Sequence, residues 1–302
     1  HHERALVEGV GVVEHALTAT ESAEVLFRVA LDRFCREEQA RLQGGDLDLV
    51  VAGSGPGAAE QARRWRLQGI EDLEQLVYLH PDSEHVAVAR LNIGVAWIRE
   101  AKALDREAGR GDAAPVVDGR LNYGRFESAA AEWAAARGAA ELHALVVDHG
   151  SSPAAPRAHF HLGLHNWLER RDLPAARRAM LRATGTGEVG PESLTIATYA
   201  GLLLMEAGDH ANARMVLLRG LQRELAAGLV LDGKAQDQVE AVDALAWLTA
   251  RTPGAKVQTL EADLEGLSAD WALDRGLRTV VRAALYNDAL VLAEASAMRH
   301  LA

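Results

Sequence analysis

The sequence predicts an all-α protein, and three observations carry this prediction. Alanine and leucine dominate a composition that is 49% hydrophobic but only 5% aromatic, and both residues cost little in a helix. Apolar residues recur at helical rather than alternating spacing, as in the segment 23–42. Only 8 of the 302 residues are proline. A chain of this length can bury a large core, in one elongated domain or two compact ones.

Charge and cysteine content exclude several classes of protein. The net charge is −11, whereas a nucleic-acid surface needs clustered Lys and Arg, so nucleic acid is not expected as the main partner. The single cysteine, Cys35, cannot form an intrachain disulfide, which favours a reducing, cytoplasmic location. No apolar run reaches the ~18–20 residues that span a bilayer. We therefore expect no membrane partner.

The N-terminal half is expected to contain helices separated by short breaks. The breaks fall in the segments 18–22 and 44–57 and near Gly69, Pro81 and Gly138. We assign residues 1–57 to N-terminal helices and a glycine-rich loop, and residues 58–150 to irregular helical repeats with an insertion at 105–122. The expected helices are 5–17, 23–42, 58–68, 71–79, 83–107, 126–137 and 139–147, with at most one short strand.

The segment 151–156, which reads SSPAAP, is the best candidate for a subdomain boundary. After it, residues 151–226 are expected to form two helical repeats, with helices at 157–170, 174–184, 192–207 and 210–226. Pro174 suits the first turn of its helix. Residues 227–302 are expected to form capping helices at 234–250, 268–284 and 288–300.

The glycine-rich segment offers an alternative function. Residues 47–52 could form a strand, and Gly53–Ala58 matches the glycine spacing of a dinucleotide-binding turn. That turn would make the chain a nucleotide- or flavin-binding protein. The rest of the context is missing, because the next extended candidate ends in His80-Pro81 rather than an acidic residue, and no βα alternation follows. A glycine-rich loop before a helix explains the same residues.

One pattern occurs twice between His159 and Leu221. Each copy has an apolar helix, a turn that contains aspartate, and a second helix with small residues at fixed places. Asp172 and Asp209 mark the two turns, 37 residues apart. The first copy departs in two ways: Gly163 lies one place early, and Arg171 stands where glycine is usual. The positions that carry the pattern are Phe160, Leu164, Trp167, Asp172, Ala176, Met180 and Ala183 in the first copy, and Ala197, Ala200, Gly201, Leu204, Gly208, Asp209, Ala213, Leu217 and Gly220 in the second.

This pattern resembles the tetratricopeptide repeat, a helix–turn–helix unit that stacks into solenoids. The resemblance covers about residues 80–225. An interrupted copy precedes the other two, with Ile93–Trp97 in its first helix and Gly124–Ala129 opening its second. The resemblance implies a right-handed superhelix of antiparallel helix pairs. The first helix of each pair would line a concave groove that holds a peptide or helix of a partner protein.

The same resemblance assigns groove-facing positions. They come from three first helices and are Asn92, Val95, Arg99, His161, His165, Glu169, Thr198, Leu202 and Met205. Arg99 is the only basic residue among them. His161 and His165 are four residues apart, so they share a helix face and could reach one metal ion. Glu169 extends the row by another turn, but no fourth ligand is evident, and a polar groove wall explains the same row.

These observations favour a non-enzymatic scaffold that binds a protein or peptide partner, as a regulatory or signalling module. The chain has no nucleophile elbow, P-loop or convincing acid–base pair, so an enzyme, a cofactor or a metal is not expected. Self-association into a homo-oligomer is a third hypothesis.

Overall fold

The computed structural model describes residues 18–44, 57–108, 116–117, 120–121, 128–185, 193–227 and 236–251, with seven separate positions between 260 and 279. The described fold is all-α, as predicted. The helices are α1 Ala19–Gly44, α2 Gly57–Leu79, α3 Val86–Glu107, α4 Ala129–Asp148, α5 Ala155–Leu164, α6 Leu173–Gly185, α7 Ser193–Glu206, α8 His210–Ala226 and α9 Gln236–Arg251. A π-helical turn, His165–Glu169, extends α5. Two short antiparallel strands, β1 Val116–Val117 and β2 Arg120–Leu121, lie within the predicted insertion.

Helices that follow one another in sequence make the most extensive contacts. The strongest pairs are α1 with α2, α3 with α4, α5 with α6, and α7 with α8, and each pair also packs on the next. Contacts between α3 and α5, and between α7 and α9, bring first helices of successive pairs together. The described helices therefore pack pair on pair in chain order.

Buried clusters join the pairs. One lies among α1, α2 and α3, and another extends from α5 through α9 to Leu260, Leu264 and Ala272. A third connects Leu91 and Leu142 with Ala155 and Ala158. This third cluster carries buried contacts across the segment 151–156, the predicted subdomain boundary.

Within three pairs, a glycine on the first helix meets a large side chain on the second. A Cβ atom at Gly201 would lie 2.6 Å from Leu217 Cγ, one at Gly163 would lie 2.9 Å from Met180, and one at Gly94 would lie 2.6 Å from Leu142 Cγ. Real Cβ atoms essentially never approach so closely. The absence of a side chain at these positions lets the two helices of each pair pack closely.

Two predicted helix breaks are wrong. Helix α2 continues through Gly69, and α4 continues through Gly138. Both glycines are packing positions: a Cβ at Gly69 would lie 3.0 Å from the Phe34 ring, and one at Gly138 would lie 2.6 Å from the Gly94 carbonyl oxygen. Helix α4 begins at residue 129 because the Ser128 side chain accepts a hydrogen bond from Ala131 N at 3.1 Å, as an N-cap.

Other predictions lie outside the described residues, namely the first helix (5–17) and the last two capping helices (268–284 and 288–300), apart from isolated positions. None of the described helices is both long and apolar enough to cross a bilayer.

Candidate functional site

Helix α3 presents one of its three predicted groove residues to solvent. Asn92 is half-buried, and its side-chain amide donates a hydrogen bond to Val88 O at 3.0 Å on its own helix. Val95 is partly buried against the cluster that joins α3, α4 and α5. The Arg99 side chain is 45% exposed. Arg99 is therefore the one of these three residues best placed to meet a ligand.

Helix α5 and its π-helical turn carry His161, His165 and Glu169. His161 is half-buried, whereas His165 is buried and its Nδ1 contacts a Glu169 carboxylate oxygen. In the neutral ring, donation from Nδ1–H to that carboxylate leaves Nε2 as a hydrogen-bond acceptor. Glu169 thereby fixes the His165 ring rather than facing a partner freely, since its side chain is only 12% exposed.

The π-helical turn accounts for the early position of Gly163 in the first repeat copy. Its backbone bonds run from Arg170 N to His165 O and from Asp172 N to Asn166 O, so the turn holds one more residue than an α-helical turn. Arg171 then adopts φ 55°, as Gly208 adopts φ 74° in the second copy. Gly163, one place early in sequence, still meets Met180 as Gly201 meets Leu217. The π-helical turn accommodates the extra residue, so the contact between the two helices is kept.

Three cations lie around His161. Burial, together with the positive charges of Arg157, Arg99 and Lys102, lowers the pKa of His161 to about 4. Two of these residues come from α3 and one from α5. The first helices of two successive pairs therefore place a group of cations together in a chain whose net charge is −11. We call Arg99, Lys102, Arg157 and His161 the basic cluster.

The packing of α3 on α5 explains this arrangement. Ile98 and Leu162 pack against the same buried cluster, and each residue of the basic cluster lies one to five positions from one of them. Residues that flank a helix–helix contact extend along its rim, where long basic side chains keep their charges in water. The cations of the basic cluster can therefore lie along the rim of the α3–α5 contact with their charged ends in water.

Sequence reasoning identified Arg99 and His161 but missed Lys102 and Arg157. A signal was present, because Lys102 follows Arg99 by three residues and Arg157 precedes His161 by four, so each pair shares a helix face. What the sequence could not supply was the contact between α3 and α5. That contact turns two separate pairs into one cluster.

Helix α7 does not present two of its three predicted groove residues. Thr198 is fully buried and Met205 is 6% exposed, while Leu202 is partly buried against the same core. These positions were expected to face a groove, and their burial corrects that expectation for Thr198 and Met205. Helices α6, α8 and α9 all pack on α7, which leaves this helix little free surface.

The described residues contain no candidate metal site. No group of three or more His, Cys, Asp or Glu side chains there is arranged to hold a metal ion. The three cations near His161 would also repel a divalent cation. Most of the Gly53–Ala58 segment lies outside the described ranges, so the nucleotide- or flavin-binding alternative remains a prediction.

Comparison of the chain with protein-family models, with curated proteins and with solved structures found no match.

Proposed function

We propose that the chain is a non-enzymatic helical-repeat scaffold that binds a protein or peptide through the first helices of its pairs, with an anionic group of the partner at the basic cluster. The observation that supports this most directly is the convergence of three cations and a histidine from α3 and α5. Carboxylates are the common anionic groups of proteins, and guanidinium groups bind them through paired hydrogen bonds.

An extended nucleic acid is a less suitable ligand than a peptide. Binding to a phosphate backbone requires cations along the whole length of the contact, and the chain carries 43 acidic residues against 32 Lys and Arg. The basic cluster is confined to a turn or two of each helix. A local cluster of this size matches one or two acidic side chains of a partner.

The proposed architecture is a tetratricopeptide-like superhelix. The repeated glycine contacts in three successive pairs support it, and so does the packing of the pairs in chain order. Small-angle X-ray scattering tests the elongated shape. A compact protein of 302 residues has a radius of gyration of about 19 Å. We expect a clearly larger value for the monomer, and a value at the compact limit would contradict the superhelix.

The binding site is tested with a fluorescent hexaglutamate peptide and its hexalysine counterpart, measured by anisotropy at several salt concentrations. We expect the acidic peptide to bind, and the double variant Arg99→Glu/Lys102→Glu to lose that binding. The control variant Arg178→Glu/Arg219→Glu makes the same charge change at exposed positions on the second helices α6 and α8. Equal loss in both variants would indicate a general charge effect and contradict the site.

A further inference from the structure

A buried charge network lies directly beneath Arg99. Arg66 on α2 connects Glu37 on α1 with Glu100 on α3, at 2.8 Å and 3.1 Å. Arg63 binds the second oxygen of Glu100 at 2.7 Å. The Glu37, Glu100 and Arg66 side chains are 0%, 2% and 8% exposed. The first three helices are therefore joined through charges removed from water.

One atom of this network has no hydrogen-bond partner among the described residues. Glu37 Oε1 is bound by Arg66, but Glu37 Oε2 is buried without a hydrogen bond. The nearest cation on that side is Arg99, whose Nη1 lies 4.0 Å away. That distance is too long for a hydrogen bond, and the Arg99 side chain is 45% exposed, but the fully buried Glu37 carboxylate still attracts its positive charge. Since Arg66 holds Glu37 in place, closing the gap requires movement of Arg99.

We propose that Arg99 is shared between buried Glu37 and an anionic ligand, and that Glu37 is the positioning residue that competes with the ligand for the Arg99 guanidinium. This inference rests on the proposed function of the basic cluster. Toward Glu37, Arg99 supplies the missing donor to Oε2. Toward solvent, the same guanidinium binds the anionic group of the partner. When the ligand binds, Arg99 moves away from Glu37 on α1. The stability of the α1–α2 pair then depends on whether the site is occupied.

The direction of the effect follows from the competition. Glutamine at position 37 keeps an oxygen for Arg66 but removes the negative charge that attracts Arg99. We therefore expect Glu37→Gln to strengthen binding of the hexaglutamate peptide by about fivefold or more, in the range of ordinary couplings between sites. In the Arg99→Gln background, Glu37→Gln should leave the remaining affinity unchanged.

A matched control separates this competition from net charge. Glu107→Gln on α3 removes the same charge at a carboxylate that binds Arg63 and is 56% exposed. It should change the affinity much less than Glu37→Gln. Equal gains from the two substitutions, or an undiminished gain in the Arg99→Gln background, would overturn the inference while leaving the proposed function intact. Absence of peptide binding by the wild-type protein would overturn both.

A second measurement on the wild-type chain keeps the inference testable if Glu37→Gln fails to fold. Hydrogen exchange of the α1 amides near Glu37 should accelerate when the peptide binds, because Glu37 loses the attraction of Arg99. The Arg99→Gln variant should show no such change at any peptide concentration. Unchanged α1 exchange in the peptide-saturated wild type would refute the competition.

Discussion

Substitution of Gly201 by alanine tests the close packing of α7 on α8. The added Cβ would lie 2.6 Å from both Leu217 Cγ and Leu217 Cδ2. Leu217 is 0% exposed and belongs to the large core that extends from α5 to α9. Because neighbours surround the leucine, neither it nor the helix backbone can move away cheaply.

Two effects of opposite sign decide the result. Alanine is favoured over glycine within a helix by about 1 kcal/mol. Insertion of a methyl group into a filled core costs about 1–3 kcal/mol. We therefore expect Gly201→Ala to lower the free energy of unfolding by up to about 2 kcal/mol, and Gly201→Val to lower it further. The steric effect is expected to exceed the gain in helix propensity.

Chemical denaturation followed by far-UV circular dichroism measures the difference, with Gly185→Ala as the matched control. Gly185 ends α6, and a Cβ there meets nothing within 4 Å, so the control should be neutral or slightly stabilising. The double variant Gly201→Ala/Leu217→Ala should cost at least about 1 kcal/mol less than the sum of the single changes, since the new methyl group enters the space that the leucine vacates. The reasoning would be refuted if Gly201→Ala stabilised the protein as much as Gly185→Ala, or if the two changes were additive.

Three further predictions concern the first helices and their turns. Arg171→Gly should raise the free energy of unfolding by about 0.5–1 kcal/mol in thermal unfolding, because Arg171 holds φ 55° and glycine adopts this conformation without strain. An unchanged free energy of unfolding would show that the Arg171 backbone is not strained. His161 has a folded-state pKa of about 4 against about 6.5 in the unfolded chain, so between these pH values the unfolded state binds more protons. The contribution of His161 to the free energy of unfolding, at most about 3 kcal/mol, is fully present above pH 6.5 and is lost as the pH falls toward 4. A histidine NMR titration measures the pKa, and His161→Gln should remove this part of the pH dependence; a normal His161 pKa would contradict the burial that is the main cause of the lowered pKa. Asp209→Ala should lower the free energy of unfolding by about 1–3 kcal/mol, because the Asp209 carboxylate accepts hydrogen bonds from Arg177 Nε at 2.9 Å and from Asn212 Nδ2. Asp172→Ala removes one N-cap hydrogen bond and should lower it by about 1 kcal/mol. Equal costs in chemical denaturation would contradict the larger contribution assigned to Asp209.

The sequence predicted the helices well where their ends are marked by local chemistry. Proline restricts its own backbone, and serine and aspartate side chains favour turns and helix N-caps, so the turns before α5, α6 and α8 could be located directly. Glycine inside a helix was harder to interpret, because it can either end a helix or accommodate a neighbour. At Gly69 and Gly138 the second role applies. That distinction depends on the partner helix, which the local sequence does not contain.

Burial of α7 could have been inferred from its composition. The stretch from Ser193 to Met205 contains no charged residue, and a helix that is apolar all round is buried all round. The groove assignment of Thr198 and Met205 came from the repeat resemblance, which considers one pair at a time. Packing of α9 on α7 adds a second buried face. The basic cluster, in contrast, depends on a contact between successive pairs, so it could not be inferred from one repeat.

The first repeat copy shows how a sequence irregularity becomes a structural one. Gly163 lies one place early, and Arg171 replaces a glycine. In the structure the π-helical turn holds the additional residue and returns the chain to register at Asp172. The contact of Gly163 with Met180 is thereby preserved, and Arg171 adopts a positive φ as Gly208 does in the second copy. Such turns are frequent at functional sites, and this one contains His165 and Glu169, one turn beyond the basic cluster. The π-helical turn therefore lies beside the surface to which we assign binding. A regular α-helical turn would place the His165 and Glu169 side chains differently.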